Sequence, residues 1–397
     1  MGRREIRLPK ARKPPPVSRS SVLRSHAQRY RTLGMIEPDA LLSTDTKFSK
    51  MKDSLLITGG AGFIGKAVAP LLKAISLPIV VVDNLHPQVH EDPNRPATLA
   101  EEIEFIQADV CEPDTWKIVL ERWRPQMVLH LAAETGTGQS LSEASRHTHV
   151  NLTGLARMLD AFASARIAPE RFVLTSSRAV YGEGAWKDGY GNIFYPGQRS
   201  LMQLESQQWD FPNGMPLPFC ARDTQPNPTS VYGATKLAQE HILKSWAQSF
   251  NSGFNILRLQ NVYGPRQSLT NPYTGIVSLF CQMSRLGKSI PLYEDGQMQR
   301  DFVFIDDVAR AIQEAFRTKE LGLTVDIGTG RATTIAFLAE LIARRYGAPE
   351  PHVCGKFRNG DVRHASCTLG SRLDWEPRVP LEKGLNKLCD WIDEVLE

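Results

Sequence analysis

No run in this chain approaches the ~20 apolar residues needed to span a bilayer, so no helical membrane anchor is expected. Cysteine is scarce as well: Cys111, Cys220, Cys281, Cys354, Cys367 and Cys389 are scattered and form no C-x-x-C pair. That spacing argues against a zinc site or a disulfide framework and for free thiols in a reducing cytoplasm. The net charge is only +4, and it hides an asymmetry. Residues 1–50 hold twelve Lys/Arg against four Asp/Glu, which leaves the rest of the chain slightly acidic. This basic extension has little apolar periodicity and carries Lys13-Pro14-Pro15-Pro16, the composition of a disordered, solvated tail rather than of a nucleic-acid or membrane module. It lacks the apolar core of a secretory signal. Met51-Lys52-Asp53 stands directly before the first strand, so an alternative start there accounts for the extension without any function.

What is present is organised around Leu55-Leu56-Ile57-Thr58-Gly59-Gly60-Ala61-Gly62-Phe63-Ile64-Gly65. An apolar run ends in a glycine cluster, and a helical apolar pattern continues through Val68 to Leu72. Gly59, Gly62 and Gly65 permit a sharp turn, close approach of a pyrophosphate, and tight helix–strand packing. The helix N-terminus, from Phe63 and Ile64 onward, offers unpaired N–H groups to phosphate. Leu77 to Val82 reads as a second buried strand, and Asp83 ends it. Asp83 lies eighteen positions after Gly65, close to the ~20-residue offset of a carboxylate that binds the adenosine ribose hydroxyls. A carboxylate there repels a 2′-phosphate, so the pattern predicts NAD rather than NADP.

Further strands are expected at Ile103–Gln107, Met127–Leu131, Arg171–Ser176 and Phe254–Leu259, with helices about Trp116–Trp123, His149–Phe162, 229–249, Asp306–Phe316 and Ile335–Tyr346. Their alternation predicts an α/β fold with a doubly wound parallel sheet of Rossmann type. Right-handed crossovers then set the strand C-termini, and the ligands, along one edge. Asn84, Asp109-Val110 and the small residues after Leu131, Ala132 and Ala133, fall on that edge. Residues 183–222 break the alternation with aromatics, glycines and prolines and read as a loop inserted over the site. The expected organisation is a 51–262 cofactor domain and a smaller, discontinuous substrate domain from 263–397, with 301–346 returning to the first.

Tyr232 and Lys236 stand four apart in Tyr-Gly-Ala-Thr-Lys, on one face of the expected helix. An ammonium there bonds a nicotinamide ribose and favours the phenolate of the tyrosine, moving a phenol with a free pKa near ~10 towards general-base range. Ser177 follows a buried strand, where its hydroxyl reaches the reacting oxygen.

With these residues in place, 51–397 resembles the extended short-chain dehydrogenase/reductases, and among them the NAD-dependent nucleotide-sugar 4-epimerases. Phe63-Ile64, Asp83-Asn84-Leu85, Asp109-Val110, Ser177, Tyr232 and Lys236 fall at that family's cofactor and catalytic positions. Asn261, Arg300 and Arg358 fall where it contacts the substrate's diphosphate, a task that suits the planar guanidinium fork. Thr135–Ser140, Ser177–Gly184 and Gln260–Ser268 with Asn271-Pro272-Tyr273-Thr274-Gly275 resemble the dTDP-L-rhamnose 4-epimerases in particular. The resemblance implies retained NAD, a transient 4-keto sugar, interconversion of dTDP-L-rhamnose and dTDP-6-deoxy-L-talose, and a homodimer through paired helices. Relatives of this kind often carry cysteine pairs in the insert that look zinc-binding; here only Cys220 is near it, no metal is expected, and the insert must be ordered otherwise. Dehydratases place an Asp-Glu pair directly after the catalytic Ser/Thr. Arg178 and Ala179 occupy those positions, which disfavours dehydration. A 4-ketoreductase would use the same Ser, Tyr and Lys with an exchangeable cofactor, and a non-catalytic sensor would not need all three.

Overall fold

The computed structural model describes residues 51–271, 275–370 and 372–397. The basic extension at 1–50 and Pro272-Tyr273-Thr274 of the matched motif lie outside the described residues.

Seven parallel strands form the central sheet: β1 (Lys52–Thr58), β2 (Ile79–Asp83), β3 (Glu104–Gln107), β4 (Trp123–His130), β5 (Arg171–Ser177), β6 (Phe254–Leu259) and β7 (Leu323–Ile327). Their spatial order is β3-β2-β1-β4-β5-β6-β7. Ile57 of β1 pairs with Val81 on one side and Leu129 on the other. Succession therefore reverses between β1 and β4, which opens a crevice at their C-terminal ends. The apolar strand residues alternate between two faces, as a period of two requires. Leu55, Ile57 and Val81 pack with Val68 and Leu72 of helix α1 (Phe63–Leu72) and with Val308, Ile312 and Phe316 of a later helix, Ile305–Arg317. Leu56, Val80 and Val82 face Trp116 of α2 (Pro113–Arg122), Leu155 and Phe162 of α3 (Gly154–Ser164), and Leu243 of α4 (Val231–Phe250). Each such side chain taken fully from water contributes about 1.5–3 kcal/mol, so the sheet is fixed from both sides.

A separate cluster joins Val277 and Phe280 of α5 (Ile276–Arg285), Leu338 and Ile342 of Ile335–Tyr346, and Leu385 and Leu388 of Leu381–Val395. In chain order the last two of these are α7 (Ile335–Tyr346) and α8 (Leu381–Val395), and the earlier helix Ile305–Arg317 is α6. So α6 and β7 belong to the large sheet, and α7 packs with α5 and α8. The insert is more ordered than a loop. Trp186–Asp188, Ile193–Phe194 and Gly214–Pro216 form a small antiparallel sheet, and Leu201–Glu205 is one helical turn capped by Ser200. The six cysteines are free, four of them buried.

Candidate active site

The crevice between β1 and β4 opens into a cavity of about 670 Å³. Gly59 begins it with φ +67°, and a Cβ there would lie 2.7 Å from the Ala132 nitrogen. Only glycine allows this approach, which brings the turn against the β4 terminus. Gly65 serves packing, since its Cβ would fall 2.3 Å from the Gly60 oxygen. Gly62, in extended conformation, is the N-cap of α1 and supplies no capping side chain. The helix N-terminus thus keeps donors for an anion. Asp83 is buried, accepting the Ala61 N–H at 3.0 Å and the Leu85 N–H at 2.9 Å on opposite oxygens. Each oxygen retains a lone pair for a ligand hydroxyl. Asn84 donates to Asp109 at 3.0 Å. Gly59, Gly62, Phe63, Ile64, Asp83, Asn84, Asp109, Val110, Leu131, Ala132 and Ala133 all line this one cavity, while Gly65 lies behind it.

The reactive groups line the same space. Ser177 ends β5, and its hydroxyl accepts the Ala179 N–H at 3.2 Å, capping a tight 3₁₀ turn over Arg178–Tyr181. Ser230 caps α4 by accepting from the Gly233 N–H at 3.1 Å. The first turn of α4 then presses on the 3₁₀ turn, because a Cβ at Gly233 would stand 2.3 Å from the Ala179 oxygen. Tyr232 is brought beside Ser177 and hydrogen-bonds with it. Burial raises the Tyr232 phenol above its ordinary value, against that hydrogen bond and the charge of Arg178. Here the structure departs from the sequence expectation. Lys236 is one turn along, but its ammonium donates to Gln239, and burial lowers its pKa to about 7 against the pull of Glu240. Arg178, directly after Ser177, also bears on the phenol with its charge.

Asn261, Arg300 and Arg358 complete the far wall. Asn261 Oδ1 accepts from Arg178 Nε at 2.9 Å. Arg300 is buried and donates to the Gln299 carbonyl at 2.7 Å. Arg358 stands over the Tyr293 ring, 5.0 Å from its centroid. Among the described residues Arg178, Arg300 and Arg358 form no ion pair, so their positive charge faces the cavity; Asp361 on the same wall tempers it.

Sequence reasoning missed three features. Arg178 was noted for what it replaces and not for what it faces. Gln260 lines the cavity at 5% exposure, and neither amide atom has a hydrogen-bond partner among the described residues. The third is what orders the insert. Arg199, 4% exposed, is held between Glu183 (3.2 Å) and Glu294 (2.8 Å) and donates to the carbonyls of Trp209 and Asp361. Arg363 pairs with Glu294 at 2.9 Å, and with Asp295 and Asp210 at the rim. A buried ion cluster thus ties the insert to the substrate segment. The charges lie far apart in sequence, so no local spacing reveals them.

A doubly wound parallel sheet with a glycine turn, a buried carboxylate ending its second strand and a Ser/Tyr/Lys cavity defines a dinucleotide-dependent enzyme of the short-chain type. The chain belongs to the NAD dependent epimerase/dehydratase family, whose model matches residues 55–328. It is 54% identical over 347 residues to the dTDP-L-rhamnose 4-epimerase of Burkholderia thailandensis, covering 86% of this chain and 96% of that protein. Among solved structures it is similar to the UDP-glucose 4-epimerase of Thermotoga maritima with UDP-glucose, at 28% identity and a TM-score of 0.70. That match covers 87% of this chain and all of the other. The UDP-glucose 4-epimerase of Thermus thermophilus in complex with NAD is 26% identical with a TM-score of 0.66, over 86% of this chain and 99% of that one.

Proposed function

We propose that this protein interconverts nucleotide-linked hexoses that differ at C4, with dTDP-L-rhamnose and dTDP-6-deoxy-L-talose as the pair. The observation that carries the reading is the joining of Ser177, Tyr232 and Lys236 to three unpaired arginines in one cavity. The 54% identical relative, which bears the name of this activity, supports the choice of sugar. Arg178 and Ala179 leave no Asp-Glu pair for dehydration.

The glycine cradle, the bare N-terminus of α1 and the Asp83 carboxylate fit NAD. Phe63 and Ile64 N–H groups would meet its pyrophosphate, Asp83 its adenosine ribose, Asn84 and Asp109 the adenine end, and Lys236 the nicotinamide ribose. NAD, when bound, supplies hydride acceptance at C4 and hydride return to the opposite face. Tyr232 as phenolate takes the proton from the C4 hydroxyl and later gives it back. Ser177 donates to the same oxygen and holds it in place. Arg300, Arg358 and Asn261 hold the diphosphate, so the sugar turns while its tether stays fixed. Binding energy placed on the tether spares the hexose a rigid grip. Residues 51–262 with α6 and β7 hold the cofactor in this reading, and the α5–α7–α8 cluster backs the substrate side.

No helix among the described residues is long and apolar enough to cross a membrane. Six free cysteines fit a reducing cytoplasm. A homodimer through paired helices is the assembly we propose, read by sedimentation. The function itself is tested with C4-deuterated dTDP-L-rhamnose and unlabelled NADH present. Inverted product should keep its deuterium without net NADH formation. Deuterium lost stoichiometrically to the external pool indicates a reductase, and no inversion of any dTDP-, UDP- or GDP-sugar refutes the reading.

A further inference from the structure

Three stretches that line the cavity have no task in the catalytic assignment: the loop after β2 beyond Asn84, the loop after β4 beyond Ala133, and the residues around Asn271. One side chain joins them. Gln88 stands in the connection from β2 to β3, which holds neither helix nor strand between Asn84 and Ile103. Its amide oxygen accepts from Gln139 Nε2 at 3.1 Å and from Arg146 Nη2 at 3.0 Å. Its amide nitrogen donates to Gln139 Oε1 at 3.0 Å and to Asn271 Oδ1 at 3.3 Å. An amide side chain offers two donors and two acceptor sites, so every one of them is used. The opposite bank is anchored. Gln139 is buried, and its nitrogen also donates to both Glu143 oxygens at 3.1 Å. Arg146 is paired with Glu134 and with Glu143, each at 2.9 Å.

β2 and β4 are the two neighbours of β1 in the sheet. A bond from the loop after one to the loop after the other therefore crosses the C-terminal end of β1, where the Gly59 turn and the N-terminus of α1 stand. Gln88, Gly59, Gly62, Gly136 and Asn271 line one cavity, so the crossing lies over that cavity and not behind the sheet. Resting on the epimerase reading above, in which the NAD pyrophosphate meets this turn, we propose that Gln88 is a latch that clasps Gln139 and Asn271 over the bound cofactor and slows its release. The clasp opens by breaking side-chain hydrogen bonds on an irregular loop, with no strand or helix to unfold. Asn271 brings the substrate side into the same clasp. Retention matters to a reaction that returns the hydride it removed, because a cofactor lost in mid-cycle would strand the oxidised sugar.

The test follows isotope-labelled NAD displaced from loaded protein by excess unlabelled NAD, in wild type, Gln88→Ala, Gln139→Ala and the double variant, with no sugar present. Release should be roughly tenfold faster or more in Gln88→Ala, which loses the whole clasp. Gln139→Ala should release NAD at an intermediate rate, since the bonds from Gln88 to Arg146 and Asn271 remain. The double variant should match Gln88→Ala, because once Gln88 is gone Gln139 has no clasp left to lose. No turnover is read, so the exchange judges the latch alone. A protein that keeps its NAD yet epimerises no sugar would refute only the epimerase reading. An unchanged release rate in Gln88→Ala overturns the proposal, as do single effects that multiply in the double variant, or weaker binding that comes from slower association alone.

Discussion

Replacing Arg199 with methionine tests whether ions hold the insert in place of a metal. Arg199 and Arg363 face Glu183 and Glu294 in a cluster whose four members are each 4% exposed or less. The buried charges balance two against two, with Asp210 and Asp295 at the rim. Arg199→Met leaves two buried carboxylates to share Arg363, and breaking one side of such a pair costs about 3–5 kcal/mol. At ~2.1 cal/mol/K per residue, unfolding residues 51–397 carries an entropy of about 0.7 kcal/mol/K. The melting temperature should then fall by roughly 4–7 °C. The loss should depend on pH in a definite direction. Burial already raises the Glu183 carboxyl, and Arg199 opposes that rise. Without Arg199 the folded pKa climbs further above the unfolded one, and a group raised in this way loses stability as pH rises through the folded value. The variant should therefore lose more at pH 8 than at pH 5.5. Adding Glu183→Gln should return part of the stability. The assay is calorimetry at fixed NAD, repeated with a chelator, which should leave the wild-type transition unmoved. A variant melting within about 1 °C of wild type at pH 8 would refute the reasoning, as would a large chelator effect.

Tyr232→Phe should keep the fold and its NAD content, because the ring and its packing remain. Turnover should drop by roughly 10²–10⁴, the loss typical of removing a general acid/base, and near-full activity would sink the assignment. Asp83→Ala removes the carboxylate that the Ala61 and Leu85 N–H groups fix beside the turn. NAD should bind more weakly and discrimination against NADP should shrink, as measured by cofactor titration. Equal wild-type affinity for the two would show that Asp83 does not select.

The cofactor side of this site was legible because its determinants are local. Gly59, Gly62, Gly65 and Asp83 carry their meaning in spacing, since one strand, one turn and one helix must pass a pyrophosphate. Ser177 and Tyr232 were legible as a strand end and a helix face. The strand Leu323–Ile327 was missed: it is five residues long and buries Asp326, whose charge hides the pattern until Tyr181 is seen to bond it at 2.8 Å. The Lys236 role was drawn too simply, for i, i+4 spacing says that two groups share a face and not that they touch. Gln239, at i+3, reaches the ammonium first. Arg199 and its carboxylates were beyond sequence reasoning altogether, because pairs such as Arg199 and Glu294 meet only after the insert has folded back on the substrate segment.

That last arrangement divides the site by rigidity. Ser177 ends a central strand, Arg178 opens the 3₁₀ turn that follows it, and Tyr232 and Lys236 stand on the first turns of a twenty-residue helix. Strand and helix belong to the large sheet and its packing, which suits groups that must keep reacting geometry to within fractions of an ångström. Arg300 sits instead on a strand of two residues, and Arg358 on a connecting stretch. Their placement relies on the ion cluster at Arg199 and Arg363, which donate to or flank Asp361 and the Gln299–Arg300 strand through backbone atoms. Loosening the cluster should thus disturb the grip on the substrate before it disturbs the chemistry. In Arg199→Met, KM for the sugar nucleotide should rise while kcat at saturation and NAD content stay close to wild type. A fall in kcat with KM unchanged would mean that the cluster supports the reacting groups themselves, and the division drawn here would be wrong.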